Sequence, residues 1–292
     1  MLRVLSTYTF IRRKLTPALL AEIEGSGILA VELFCARGHL NYRDEQEMRG
    51  LGDWVRDHDL KVQSLHAPTD RDSSQGHEGV PISISDVERV RRLDGVDEVK
   101  RALDLAEYFP FRYLVQHMGS SRDAEDPRKW DAAFSSLEHL VVFAKQRGVT
   151  IALENTPGEF AAPANLRHFI EDTRLTNLRL CFDTGHAHME EGVVPSFEAM
   201  RELVVTSHLH DNHGEKDEHL PPFQGTIDWP AALKAMSGAL AGSLPAVLEL
   251  KDQHPHTAPP EQAPAEPALA AARAAFDKVE QALGNARAQR AS

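Results

Sequence analysis

The sequence predicts a single-domain α/β protein, a (β/α)8 or TIM barrel. Three observations lead there: eight short apolar runs, a helical segment after each, and no glycine-rich phosphate turn after the first run. The runs are Leu2 to Thr7, Leu29 to Phe34, Lys61 to His66, Tyr113 to Met118, Thr150 to Asn155, Leu178 to Asp183, Val204 to His210 and Ala246 to Leu250. The first crossover, "LTPALLAEIEGSG", reads as a helix with Thr16 as N-cap, Pro17 as first helical residue and Gly25 or Gly27 as the stop. Helical spacing then covers residues 44–58, 85–108, 128–147, 163–173, 196–203, 229–240 and 265–284. A doubly wound open sheet is the alternative for such alternation, but its first strand should run into a Gly-rich turn that this chain lacks. The barrel domain is expected over residues 1–285, with 286–292 a frayed polar tail and "HPHTAPPEQAPAEP" a Pro-rich link to the last helix.

Composition fits that fold. The chain has 292 residues, 42% hydrophobic and 26% charged, enough for one sizeable core. No run approaches the length of a membrane span, and the N-terminus "MLRVLSTYTFIRRKL" lacks the layout of a signal peptide. With only Cys35 and Cys181, a disulfide framework is not indicated; the expected setting is cytoplasmic, with no membrane partner. A net charge of −12 argues against nucleic acid held by bulk electrostatics. The oligomeric state is left open, a homo-oligomer being compatible.

Chemistry is expected at the C-terminal ends of the strands, where a barrel builds its site. Six strands end on residue types that bind metal: His66, His117, Glu154, Asp183, His208 and Glu249. His186 follows strand 6, and the loop after strand 7 adds "DEH" as Asp217 and His219. Strand parity supports convergence, since Ile151 and Leu153 oppose Ala152 and Glu154, and Leu180 and Phe182 oppose Cys181 and Asp183. Buried carboxylates without a partner are costly, so their meeting with histidines calls for a compensating cation. Mixed imidazole and carboxylate donors suit zinc, manganese, iron or cobalt.

The motifs "LENT", "FDTGHAH", "HLHDN", "DEH" and "GTIDW" resemble those of the xylose-isomerase-like TIM barrels. That superfamily includes sugar phosphate isomerases/epimerases and endonuclease IV (AP endonuclease family 2). The resemblance runs from "VELF" in strand 2 to "LEL" in strand 8. It implies that Glu154, Asp183, His208 and Glu249 match the ligands of the single metal in the epimerase branch. His66, His117, His186, Asp217 and His219 match the additional ligands of a trinuclear zinc cluster in the endonuclease branch. The implied cofactor is therefore a divalent metal, Zn, Mn or Co, with one to three ions per chain. On the isomerase or epimerase reading, Glu154 and Glu249 are the catalytic acid and base, and the partner is a small sugar or sugar phosphate. On the phosphodiesterase reading, three ions generate and clamp a hydroxide. Three carboxylates with one ion leave a charge of roughly −1, apt for a neutral sugar; four carboxylates with three ions leave roughly +2, apt for phosphate.

The loop "CARGHLNYRDEQ" and the segment "APTDRDSSQGHEG" do not match the DNA-inserting elements of endonuclease IV, so a nucleic-acid partner is not expected. "PFQGTIDW" departs from the family's Gly-Glu-Gly, with Phe223 and Gln224 in place of the first two. A barrel that binds without catalysing is disfavoured by the number of charges gathered. Glu32, Arg37, His39 and His210 are the expected substrate contacts, with Tyr42 on the same bordering loop. His188 and His213 read as loop residues, His254 and His256 as adventitious binders, Cys181 as core, and "IDW" as an N-cap followed by a packing anchor.

Overall fold

The computed structural model describes residues 1–71, 79–119, 126–252 and 264–291. His254 and His256 lie outside the described residues, as does most of the segment that follows His66. Eight parallel strands close into a barrel: β1 (Leu2–Ser6), β2 (Ala30–Phe34), β3 (Lys61–His66), β4 (Tyr113–His117), β5 (Thr150–Glu154), β6 (Leu178–Asp183), β7 (Val204–Leu209) and β8 (Pro245–Leu248), each beside its sequence neighbours and β8 beside β1. The expected barrel is present, with strand ends moved by a residue or two. A two-residue ribbon, Asp70–Arg71 with Val80–Pro81, stands apart from it.

The helices are α1 (Pro17–Gly25), α2 (Glu45–Asp57), α3 (Arg89–Asp104), α4 (Arg128–Gln146), α5 (Pro163–Thr173), α6 (Thr184–His188), α7 (Val193–Met200), α8 (Trp229–Ala241) and α9 (Glu266–Ala291). Side chains start several of them. The Thr16 hydroxyl accepts from the Leu19 amide, Asp44 from those of Gln46 and Glu47, and Asp228 from that of Ala231. Three expectations need correction. Helix α7 begins at Val193 rather than 196, because Pro195 falls in the first turn, where its missing N–H costs nothing. Helix α3 begins later than 85 and ends in a separate 3-10 turn, Leu105–Glu107. Helix α9 continues through the expected polar tail to Ala291, since its Ala, Arg and Gln are strong helix formers that outweigh Gly284.

Two apolar layers follow from strand alternation. Outward-facing Leu33, Leu65, Leu114, Leu153, Phe182 and Leu209 pack against Leu19, Leu51, Leu103, Leu140 and Phe197 of the helix ring, and truncating any one to Ala should cost about 2–5 kcal/mol. Inward-facing side chains are smaller. Val4, Ala30 and Val247 form one contact group, and Val115, Ala152 and Cys181 another. These plug the barrel beneath its C-terminal mouth, so charged strand ends above them sit on a dry floor.

Candidate metal centre

Register brings the strand-end residues side by side. His117 of β4 pairs with Glu154 of β5, and Asp183 of β6 with His208 of β7. Glu154, Asp183, His208 and Glu249 each offer a donor atom, all within 4.8 Å of one another and all buried. His66, His117 and Glu154 converge equally closely on one side, and His210, Asp217 and His219 on the other; Asp183, His186 and His210 connect the two regions.

Four of the imidazoles are aimed by the nitrogen that faces away from the centre. The Nδ1–H groups of His66, His186 and His219 donate to the backbone carbonyls of Ala67, Asn155 and Glu249, at 2.8, 2.9 and 3.0 Å. That fixes the tautomer and turns each Nε2 lone pair inward: His66 Nε2 lies 3.3 Å from Glu154 Oε2, and His186 and His219 Nε2 lie 3.3 and 3.0 Å from Asp217 Oδ2. His208 is reversed. Its Nε2–H donates to Glu32 Oε1 at 3.0 Å, and Nδ1 points to Glu154 Oε1 at 3.0 Å and Glu249 Oε2 at 3.4 Å. Glu154 is shared between groups, because Oε1 faces His208 while Oε2 meets His117 Nε2 at 3.1 Å. Donors pinned from behind and converging in front fit a divalent cation, and the mixture of nitrogen and carboxylate oxygen suits Zn, Mn or Co.

The electrostatics carry the same demand for positive charge. Burial alone would raise the Glu154 carboxyl and lower the His208 imidazole, yet facing partners reverse both: Glu154 is held well below the usual range and His208 well above. His186 is also driven well up, and His66 up, against burial by the surrounding carboxylates. Burial likewise opposes His219, but Asp217 and Glu249 raise it to about 9. Protons and cations compete for these nitrogens.

The family model for xylose isomerase-like TIM barrels matches residues 20–277. The chain belongs to this family. A relative in Sinorhizobium fredii, the uncharacterized protein y4fM, is 28% identical over 160 residues, which is 50% of each chain, so the match spans about half of that relative's length. Among solved structures, a D-tagatose 3-epimerase-like protein superposes with a TM-score of 0.77 at 20% identity, covering 99% of both chains. An L-ribulose 3-epimerase gives 0.76 at 19% identity, covering 99% of this chain and 97% of the other. IolI with a bound zinc atom gives 0.76 at 18%, covering 96% and 98%. At these identities the likeness establishes the fold.

Within this xylose isomerase-like barrel, a cavity of about 410 Å³ opens beside the centre. Its lining includes Gln116, His117, Thr156, His186, Met189 and Asp217. None of the four expected substrate contacts lines it. Glu32 is fully buried, accepting from Ser64 Oγ at 2.8 Å as well as from His208. His39 is buried with Nδ1 donating to the Arg13 carbonyl at 2.5 Å, and burial lowers it to about 4. Arg37 reaches Glu98 at 3.5 Å, the same carboxylate that accepts from Tyr42 at 2.8 Å, so this loop turns towards α3. His210 stacks on His219 with ring centroids 4.1 Å apart and donates from Nε2 to Asp183 Oδ2 at 3.0 Å, placing it among the donors. Gly185 makes room for that ring, since a Cβ there would meet His210 Cε1 at 1.9 Å.

Three contributors escaped the strand-end pattern. Tyr8, just past β1, lies 4.9 Å from the His219 ring and 5.2 Å from Phe34, which stacks on His66 at 4.4 Å. Asn155 clamps β5 to β6, accepting from the Asp183 amide at 2.8 Å and donating to the Asp183 carbonyl at 3.0 Å. Asp211 holds the "IDW" turn through the Ile227 amide at 3.1 Å and Trp229 Nε1 at 2.7 Å. Tyr8 and Asn155 each follow a strand end, a positional signal that could have flagged them. At the departure from Gly-Glu-Gly, Phe223 takes φ 70°, a left-handed conformation natural to glycine, and packs on Trp229 at 5.4 Å.

Proposed function

We propose that the protein is a divalent-metal-dependent isomerase or epimerase acting on a sugar, sugar phosphate or related polyol. The observation that carries this reading is the set of four donors, Glu154, Asp183, His208 and Glu249, gathered within 4.8 Å at the mouth of a closed barrel. Support comes from the fold shared with an L-ribulose 3-epimerase and with zinc-binding IolI. Glu154, Asp183, His208 and Glu249 would hold the cation, which would supply Lewis-acid polarisation of a carbonyl and its neighbouring hydroxyl and so make the adjacent C–H more acidic. Glu154 and Glu249 come from strands β5 and β8, separated in the barrel by β6 and β7, so a substrate between them meets a carboxylate from each side. One takes the proton from carbon and the other returns a proton to the opposite face. His186 and His117 border the cavity, where they can bind and orient hydroxyl oxygens. The aromatic wall of Tyr8 and Phe34 keeps water from the flank near His66 and His219.

The test is exchange of substrate C–H for deuterium in D2O with ketohexoses, ketopentoses and their phosphates, alongside elemental analysis. Exchange that disappears in Glu154→Gln and Glu249→Gln supports the proposal; a panel without exchange in the metal-loaded enzyme sinks it. The second reading, an endonuclease IV-like phosphodiesterase, is favoured by the additional donor groups around His66 and around Asp217. Three zinc ions per chain with cleavage of abasic-site DNA would select it, whereas one ion with proton exchange selects the isomerase.

A further inference from the structure

Below the metal centre, the inner face of the barrel changes character twice. Down β6, Asp183, Cys181 and Arg179 share one parity; down β5 the same face reads Glu154, Ala152 and Thr150, and down β4 His117, Val115 and Tyr113. The middle residues form an apolar plug. Beneath it, at the N-terminal ends of these strands, lies a separate cavity of about 370 Å³, whose lining includes Arg112, Tyr113, Thr150, Asn177 and Arg179.

This lower cavity carries charge without compensation. Arg179 Nη1 donates to the Leu178 carbonyl at 2.7 Å, and the Arg112 guanidinium sits 5.7 Å from the centre of the Tyr113 ring. Among the described residues, neither guanidinium has a carboxylate partner. That is a departure in a chain of net charge −12, where Arg13, Arg43, Arg147 and Arg167 all pair with Asp or Glu. The frame around the two arginines is fixed. Thr150 Oγ donates to Asn177 Oδ1 at 2.9 Å, Asn177 Nδ2 donates to the Val149 carbonyl at 2.7 Å, and the Thr150 amide donates to the Arg112 carbonyl at 3.0 Å. Two guanidiniums beside a cavity of this size can each present a fork of N–H donors to a tetrahedral oxyanion.

We infer that the cavity formed by Arg112 and Arg179 at the N-terminal end of the barrel is a binding site for a phosphate-class oxyanion, separate from the metal centre at the opposite end. The ligand is either free phosphate or the phosphate group of a small ester. An ester would leave its organic part against Tyr113 and Val205.

Isothermal titration of the metal-loaded protein at low salt, with inorganic phosphate in one arm and glycerol 3-phosphate in the other, tests the inference. Binding is expected at micromolar to millimolar concentration, weakened at least about tenfold in Arg112→Gln/Arg179→Gln and less in Arg179→Lys, which keeps the charge but loses the fork. Tighter binding of glycerol 3-phosphate assigns the cavity to an ester, and equal binding assigns it to free phosphate. Both arginines are exposed, so the double variant should keep the melting temperature of the parent. Phosphate affinity unchanged in the double variant would place the anion elsewhere, the metal centre included, and overturns the inference. So does the absence of binding at about 10 mM in either arm.

Discussion

The inner donors Glu154, Asp183, His208 and Glu249 and the outer donors Asp217 and His219 are drawn from the same residue types, but the chain holds them differently. Inner donors end β5 and β6, stand one residue before the end of β7 or follow β8 by one residue, and the barrel's hydrogen-bond register spaces them. Outer donors ride on the loop between β7 and α8. That loop is tied down by the reciprocal backbone pair of Asp211 with Leu220, at 2.7 and 2.9 Å, and by the Asp211 carboxylate. The Asp217 side chain is 35% exposed whereas that of Glu154 is fully buried. His219 sits at φ 48°, a conformation that costs a non-glycine residue about a kcal/mol or more. Strand-borne donors are preorganised by the whole fold, while loop-borne donors depend on a few local bonds, so the inner set should bind its ion first and lose it last.

Glu154 joins the inner donors to the His66 and His117 pair, and its removal should have the largest effect. Glu154→Gln is expected to lower proton exchange by about 10³-fold or more and to release the ions at both groups its oxygens face, the inner set and the His66 and His117 pair. Elemental analysis after gel filtration reads the second outcome. Retention of full metal content would mean that the groups around Glu154 do not act together. Asp217→Asn should separate the sets instead: any outer ion is lost while the inner one stays, and stoichiometry above one per chain falls to one. If the inner ion leaves as well, the two sets form a single cooperative cluster and the comparison fails.

Glu32 offers a finer test, since among the described residues its hydrogen bond into the centre goes to His208. Glu32→Gln keeps the shape but weakens the grip on the imidazole, so inner-ion affinity should fall about 10–100-fold. Titration with a competing chelator reports the change. Outer-ion affinity should move less, as none of the outer nitrogens bonds to Glu32.

Glu32 also shows which parts of the molecule were legible in sequence. Alternation along β2 aims it inward, as it does Glu154 along β5, but Glu154 ends its strand while Glu32 lies in the middle of β2. Parity fixes direction but not depth. Glu32 pairs in register with Ser64, one inward layer below His66, beside a register shift between Val31 and Glu32. The strands, the helix N-caps and the donors at strand ends were readable because period and residue type are local properties. Arg37 and His39 were misplaced because they sit on a loop, where no period dictates direction, and Glu98 on a distant helix draws Arg37 aside. His210 sits among the donors rather than at the cavity because its place depends on space left by Gly185, a contact between different strand ends.

The smallest expected effect concerns protons at the outer set. In the metal-free protein His219 is raised from the usual 6.5 to about 9, chiefly by Asp217 acting against burial. A group raised on folding contributes stability that is complete below about pH 6.5 and fades as pH climbs through about 9, each unit being worth about 1.4 kcal/mol at most. The melting temperature of the chelated protein should therefore decline by a few degrees between these limits, with a shallower decline in Asp217→Asn. Metal acts on the same nitrogen with the opposite sign, because an ion needs the deprotonated Nε2 and binds better as pH rises. Protein saturated at both sets should lose that decline or reverse it, whereas protein carrying only the inner ion should still show it. Melting curves at one and at several equivalents of zinc thus distinguish an occupied outer set from a protonated one. A slope that ignores the added ions would leave Asp217 and His219 as an ion pair bordering the mouth of the inner site.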